Sequence, residues 1–311
     1  MTQDRPFLGI LLMLGFCVLI PLSDAMGKIL GATLPIALIV FVRVTAQAGL
    51  LAPLTIARGQ TLLPAPEHRT LILLRSLLYI VGIGTMFTAL RFLPLAEAVA
   101  IAFVMPFIML LLGHWFLGEE VGARRILACL VGFVGTLMVV QPTFAEVGPA
   151  ALLPLGVALT FALFMLVTRQ IAKDTDPIAL QAQSGAIAAL VLLPILLLGS
   201  TLGWSDIRFD SVNAREAWLL LGMATIGTVA HLLMTWSLRF APSATLAPMQ
   251  YLEIPFATIV GYLIFRDLPN GLAAAGIVVT ISAGLYIIAR ERSGPAQELQ
   301  TAPSPASPDG R

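Results

Sequence analysis

The chain is poor in charge. Asp, Glu, Lys and Arg make up 11% of its 311 residues, against 58% hydrophobic residues and a mean hydropathy of +0.94. A soluble domain averages about 25% charged and 45–50% apolar residues. So few charges cannot cover a water-soluble fold of this length, and the sequence reads as a polytopic membrane protein. The net charge of +1 leaves no basic face for nucleic acid. Cysteine is nearly absent: Cys17 and Cys129 stand alone in apolar runs, with no disulfide framework and no metal-ligand spacing. No G-x-x-x-x-G-K-[ST] occurs, so a nucleotide-driven pump is excluded, and no cofactor motif is present. H-E-x-x-H and G-x-S-x-G are missing too, which argues against an enzyme.

What is present is apolar length. A bilayer core of ~30 Å needs about 20 apolar residues per helix. Ten such runs are read, near 7–30, 34–57, 70–90, 94–117, 124–140, 149–168, 178–199, 216–237, 242–265 and 270–289. The fold class is therefore all-α with ten transmembrane helices. Residues 293–311, rich in Pro, Ala and Ser, read as a disordered cytoplasmic tail. With the N-terminus in the cytoplasm, eleven loop Lys and Arg residues fall inside and four outside (Arg91, Arg208, Arg215, Arg266). That asymmetry predicts both termini cytoplasmic and a bacterial-type inner membrane.

The chain also repeats itself. Leu90, Arg91, Phe92, Pro94 and Ala96 recur 148 residues later as Leu238, Arg239, Phe240, Pro242 and Ala244. Pro106 and Phe107 recur 149 later as Pro255 and Phe256, while Gly15 and Lys28 recur 141 later as Gly156 and Arg169. Five spans separate the two copies. An odd number reverses direction, so the halves 7–140 and 148–290 read as two inverted five-helix repeats, a device for alternating access.

The stretch 89–142, with its A-L-R-F-x-P-x-x-x-A entry, its mid-helix Pro106 and its G-E-x-x-G-x-R-R turn, resembles the end of the first repeat of EamA-type transporters in the drug/metabolite transporter (DMT) superfamily. "SLRFAPSATLAPMQYLEIPFATIVGYLIF" (237–265) resembles the matching part of the second. One departure is Asp267-Leu268-Pro269, which stands where the first copy has G-E-E. The resemblance implies a secondary transporter of a small metabolite, with a central cavity lined mainly by helices one, three, four, six, eight and nine.

Ionisable groups inside a bilayer cost ~2.5–3.5 kcal/mol each on insertion scales, so they are functional candidates. Glu253 lies eleven residues into the run from 242, or about 16 Å at 1.5 Å per residue, near the midplane. It stands between Pro248 and Pro255 and beside Gln250 and Tyr251. Asp24 and Lys28, spaced i, i+4, are expected to pair on one helix face. Tyr79, Phe103, His231 and Trp236 are further cavity candidates. Arg43, Arg75, Glu97, Pro106 and Pro255 are structural or gating candidates: Arg43 to lock helix two to a neighbour, Arg75 to snorkel to the cytoplasm, Glu97 as an interfacial carboxylate.

The mixed charge suits a zwitterionic, amino acid-like or vitamin-like metabolite, with a coupling proton as a further partner. The alternatives are an exporter of small cationic drugs and, from a different class, an intramembrane enzyme. Small-residue faces such as Gly132/Gly135 also permit a homodimer.

Overall fold

The computed structural model describes residues 5–118, 122–267 and, beyond them, 271–272, 274–279, 281–283 and 286. All regular structure among these residues is helical. Helices α1 (Pro6–Gly31), α2 (Ile36–Ala57) and α3 (Arg69–Ala89) are followed by two short ones, α4 (Leu95–Ala102) and α5 (Met105–Leu117), and then by α6 (Ala123–Val147). Helices α7 (Leu153–Ala172), α8 (Pro177–Leu202) and α9 (Ala214–Phe240) are again followed by a short pair, α10 (Ser243–Gln250) and α11 (Glu253–Phe265). Seven segments among the described residues are long and apolar enough to cross a membrane. Eight of the twenty residues of the tenth run and the whole of the tail 293–311 lie outside the described residues.

The runs 94–117 and 242–265, each expected as one helix, are each broken in two. The cause is proline. Pro106 lacks the N–H that the Ala102 carbonyl would accept, and Pro255 lacks the one for Tyr251. The chain answers with three-residue turns instead: Phe103 N–H bonds Ala100 O, and Ile254 N–H bonds Tyr251 O. Helix bounds recur at an offset of 148: 95–102 against 243–250, and 105–117 against 253–265. In that register Pro106 is the second residue of α5 and Pro255 the third of α11, so the two prolines sit one position apart. The following caps also correspond, Gly118 and Arg266 both being left-handed at φ 62°.

The main packing pairs join the two halves of the chain: α1 with α9, α2 with α8, α3 with α7, α5 with α7 and α1 with α11. They come in exchanged couples, since α1 and α7 hold the same place in their halves, as do α3 and α9. Contacts sort the loops into two ends. At one, Arg58 pairs with Asp176 at 3.6 Å, Gln183 Nε2 donates to Thr61 O, and Arg5 N–H donates to Phe240 O. At the other, Arg91 pairs with Asp206 at 2.7 Å.

Candidate functional site

Midway between these ends lies a small cavity of about 60 Å³. Its walls are Phe16, Ile20 and Asp24 from α1, Arg43 from α2, Gly82, Ile83 and Met86 from α3, Val99 and Ala102 from α4, Phe103 and Met105 around the break, Val157 and Phe161 from α7, His231 from α9 and Glu253 from α11. The lining is apolar apart from four ionisable groups, each brought by a different helix.

Glu253 is the first residue of α11, directly after the break, and is 8% exposed. Asp24 is 7% exposed. Neither carboxyl is hydrogen-bonded or within ion-pair distance of a cation among the described residues. Arg43 lies between Gly227, which has no side chain to obstruct it, and the Phe87 ring, 5.8 Å from its centroid. Its Nη1 donates to Ser23 Oγ (2.6 Å), which donates to Met223 O (3.1 Å), and its Nε has no partner among the described residues. His231 Nδ1 lies 2.9 Å from Gly227 O. A carbonyl oxygen only accepts, so Nδ1 carries the proton there, and the 3.5 Å approach of Arg43 Nη2 to that nitrogen is a contact and not a hydrogen bond. Nε2 is then an acceptor with no donor among the described residues. The rings of Phe16, Tyr79 and Phe161 hold the imidazole edge-on at 5.0–5.7 Å.

Five residues expected at or near the cavity lie elsewhere. Tyr79 stands behind His231, its hydroxyl on Gln47 Oε1. Tyr251 turns away at the break and donates to Cys129 O, its ring against Gly132. Gln250 Nε2 meets the sulfurs of Met109 and Met165. Trp236 packs beside Leu51, Ile178 and Ala182 in a separate cluster. Lys28 stands beyond the cavity and does not pair with Asp24: Nζ donates to Leu93 O (2.7 Å) and lies 3.9 Å from Asp267. The carbonyl, left open by the turn before Pro94, is nearer than the acid one turn back.

Arg75 does not snorkel. It is 1% exposed and donates to Thr168 Oγ1, Ser184 Oγ and Gln181 Oε1, because these acceptors face it across α7 and α8. Glu97 is half-buried in the first turn of α4. Pro106 and Pro255 sit at the two breaks, and Phe103 lines the cavity. Arg43 faces the cavity, although helix two was expected to lie outside it.

Phe16, Ile20 and Phe161 were not anticipated. The available signal was spacing: Phe16, Ile20, Asp24 and Lys28 follow at every fourth residue, a single face of α1.

The family model of the EamA-like transporter family matches residues 7–141 and again 148–290. The chain is 24% identical over 271 residues to an S-adenosylmethionine uptake transporter of Rickettsia prowazekii, covering 87% of this chain and 89% of that protein. It is 29% identical over 225 residues to a riboflavin transporter of Rhizobium johnstonii, covering 72% and 70%. It is 26% identical over 284 residues to a pseudopaline exporter of Pseudomonas aeruginosa, covering 91% and 96%. A solved crystal structure superposes with a TM-score of 0.66 at 19% identity, covering 91% of this chain and 98% of the other, a likeness of fold alone.

Proposed function

The chain belongs to the EamA-like transporter family, and from that premise we propose that it moves a small zwitterionic metabolite through the Asp24–Glu253 cavity by alternating access. The observation that carries this reading is the convergence of four ionisable side chains from four helices on one buried cavity, two of them carboxyls with no hydrogen bond and no cation at ion-pair distance among the described residues. Unpaired carboxyls in a dry interior are costly, and a site keeps them when a visiting group completes them. An ammonium group is met by Asp24 and Glu253, a carboxylate by Arg43, and an apolar remainder by Phe16, Phe103 and Phe161. The relatives' names support a metabolite of this scale without selecting one: S-adenosylmethionine, riboflavin and pseudopaline differ widely.

Ligand pockets usually measure about 300–1,000 Å³. A 60 Å³ cavity is that of a closed state, so admission requires the helices to part. Ten helices in two inverted repeats, 7–140 and 148–290, provide that movement, with both termini in the cytoplasm of a bacterial-type inner membrane. Glu253 also serves as the coupling-proton carrier. A second reading, export of small organic cations, is favoured by the excess of two carboxyls over one guanidinium in the cavity.

The test is purified protein in liposomes, with a metabolite panel first ranked by thermal shift. Glu253→Gln is expected to fold, to lose transport at least tenfold, and to lose the wild-type response to an imposed pH gradient. Full transport with unchanged pH dependence in a well-folded Glu253→Gln protein overturns the role of this residue and moves suspicion to Asp24 and His231.

A further inference from the structure

Phe16, Ile20, Asp24 and Lys28 form one stripe along α1; Val157, Phe161, Met165 and Arg169 form the same stripe along α7, each 141 residues later. Phe16, Ile20 and Asp24 line the cavity, as do Val157 and Phe161. Each stripe then ends in a cation outside it. Lys28 stands about 6 Å past Asp24, and Arg169 about 12 Å past Phe161, at 1.5 Å per residue. They lie at opposite ends of the bundle, since Arg169 bonds the last turn of α9, which also holds the start of α1, whereas Lys28 is at the end of α1.

Both cations grip the same kind of atom. Lys28 Nζ donates to Leu93 O, which precedes Pro94; α4 makes its first bond from Pro94 O to Ala98 N–H, so Leu93 O has no helical donor. Arg169 Nη1 donates to Leu238 O, whose regular donor would be the missing N–H of Pro242. Leu93 and Leu238 belong to the two L-R-F-x-P turns, the tips of the hairpins α3–α4 and α9–α10. The first hairpin lines the cavity through Ile83, Met86 and Val99, and the second leads through His231 to Glu253. A tip tied to the cation of its neighbouring stripe keeps that hairpin closed over one end of the cavity. At the Lys28 end the tie extends to the other half of the chain, through Asp267 at 3.9 Å and the Phe265 ring at 5.0 Å. Arg91 adds bonds from the same tip to Gly31 O and Leu34 O.

Building on the transport reading, we infer that Lys28 and Arg169 are paired gating residues, each latching one hairpin tip over one mouth of the cavity. Both latches are closed in this structure, in keeping with its small cavity. Transport then proceeds by releasing one latch at a time, and neither cation needs to touch the substrate.

The test needs no substrate. Cys17→Ser and Cys129→Ala remove the two native thiols, and Ala102→Cys places a single reporter on the cavity wall. The protein is reconstituted and labelled with a membrane-impermeant maleimide from either side. Lys28→Met is expected to raise labelling about tenfold from the Lys28 end, the loss of one charged hydrogen bond, and to leave the other end slow. Arg169→Met is expected to do the reverse. Asp267→Asn, a partly exposed position whose replacement spares the core, is expected to give a smaller rise at the Lys28 end. Lys28→Arg, which keeps the cation, is expected to label as the parent does. Unchanged labelling in Asp267→Asn and in whichever methionine variants fold, or a rise at the same end in both methionine variants, overturns the inference. Sided labelling in a protein that moves no metabolite supports the latches and counts against the transport reading, so the two fail separately.

Discussion

Arg75 enters the bundle with no carboxylate to meet it among the described residues. Its guanidinium is held by Thr168 Oγ1 (2.9 Å), Ser184 Oγ (2.5 Å) and Gln181 Oε1 (3.1 Å), over the Phe164 ring at 4.5 Å. A planar fork meets three fixed acceptors at once, which a point-like ammonium cannot do. Arg75→Lys is therefore expected to cost about 1–3 kcal/mol through unsatisfied buried acceptors. Thermal unfolding in detergent reads this directly, and an unchanged melting temperature would show that the network contributes nothing. Arg43 is arranged differently: among the described residues it has one oxygen partner and an unbonded Nε at the cavity wall. The sequence marks Arg43 as a deep cation and Arg75 as one near a helix end. Only the partners reveal that one braces helices and the other keeps spare hydrogen-bonding capacity.

The broken helices of the two halves match in length and break, yet no ionisable group of the cavity recurs at the matching position of the other half. At matching offsets, Asp24 corresponds to Met165, Arg43 to Ser184, His231 to Ile83 and Glu253 to Met105. The repeat builds the shape twice and each charge of the cavity once. Helix pairing depends on small residues as much as on apolar ones. A Cβ on Gly185 of α8 would lie 2.9 Å from Val44 O and 3.0 Å from Ala48 N, both backbone atoms of α2. Backbone cannot rotate aside, so Gly185→Ala is expected to spread the α2–α8 seam and lose about 1–3 kcal/mol. Gly84 is the matched control: no described atom lies within 4 Å of where its Cβ would stand, and Gly84→Ala should melt with the parent. Equal melting of the two variants would show that the seam tolerates a methyl group.

Across the whole molecule, the largest contacts run between halves, so neither half buries its own apolar faces alone. The loop contacts yield a sided prediction. Thr61 in the α2–α3 loop and Ser211 in the α8–α9 loop lie at opposite ends of the bundle. In a cysteine-free background, Thr61→Cys should label only from the cytoplasmic side and Ser211→Cys only from the opposite side, following the eleven-to-four excess of Lys and Arg. The reverse pattern would invert the topology, and labelling of both from one side would refute the repeat arrangement.

Membrane residence, helical class, the repeat and the family were all legible in the residues, because hydropathy, proline and the L-R-F-x-P pattern are local or periodic signals. Glu253 and Asp24 could be singled out for the same reason, since burying a carboxyl in hydrocarbon is costly wherever its neighbours lie. Partnership was not legible. Asp24 and Lys28 share a helix face, but Leu93 O, 65 residues from Lys28, offers a closer and less mobile acceptor than the Asp24 side chain. Gln250 and Tyr251 neighbour Glu253 in sequence, but the proline break turns them toward Met165 and Cys129 while Glu253 opens α11 into the cavity. Sequence spacing specifies the face of a single helix. Which face meets which neighbour is decided by packing among helices that lie 100 or more residues apart, as α1 does from α9.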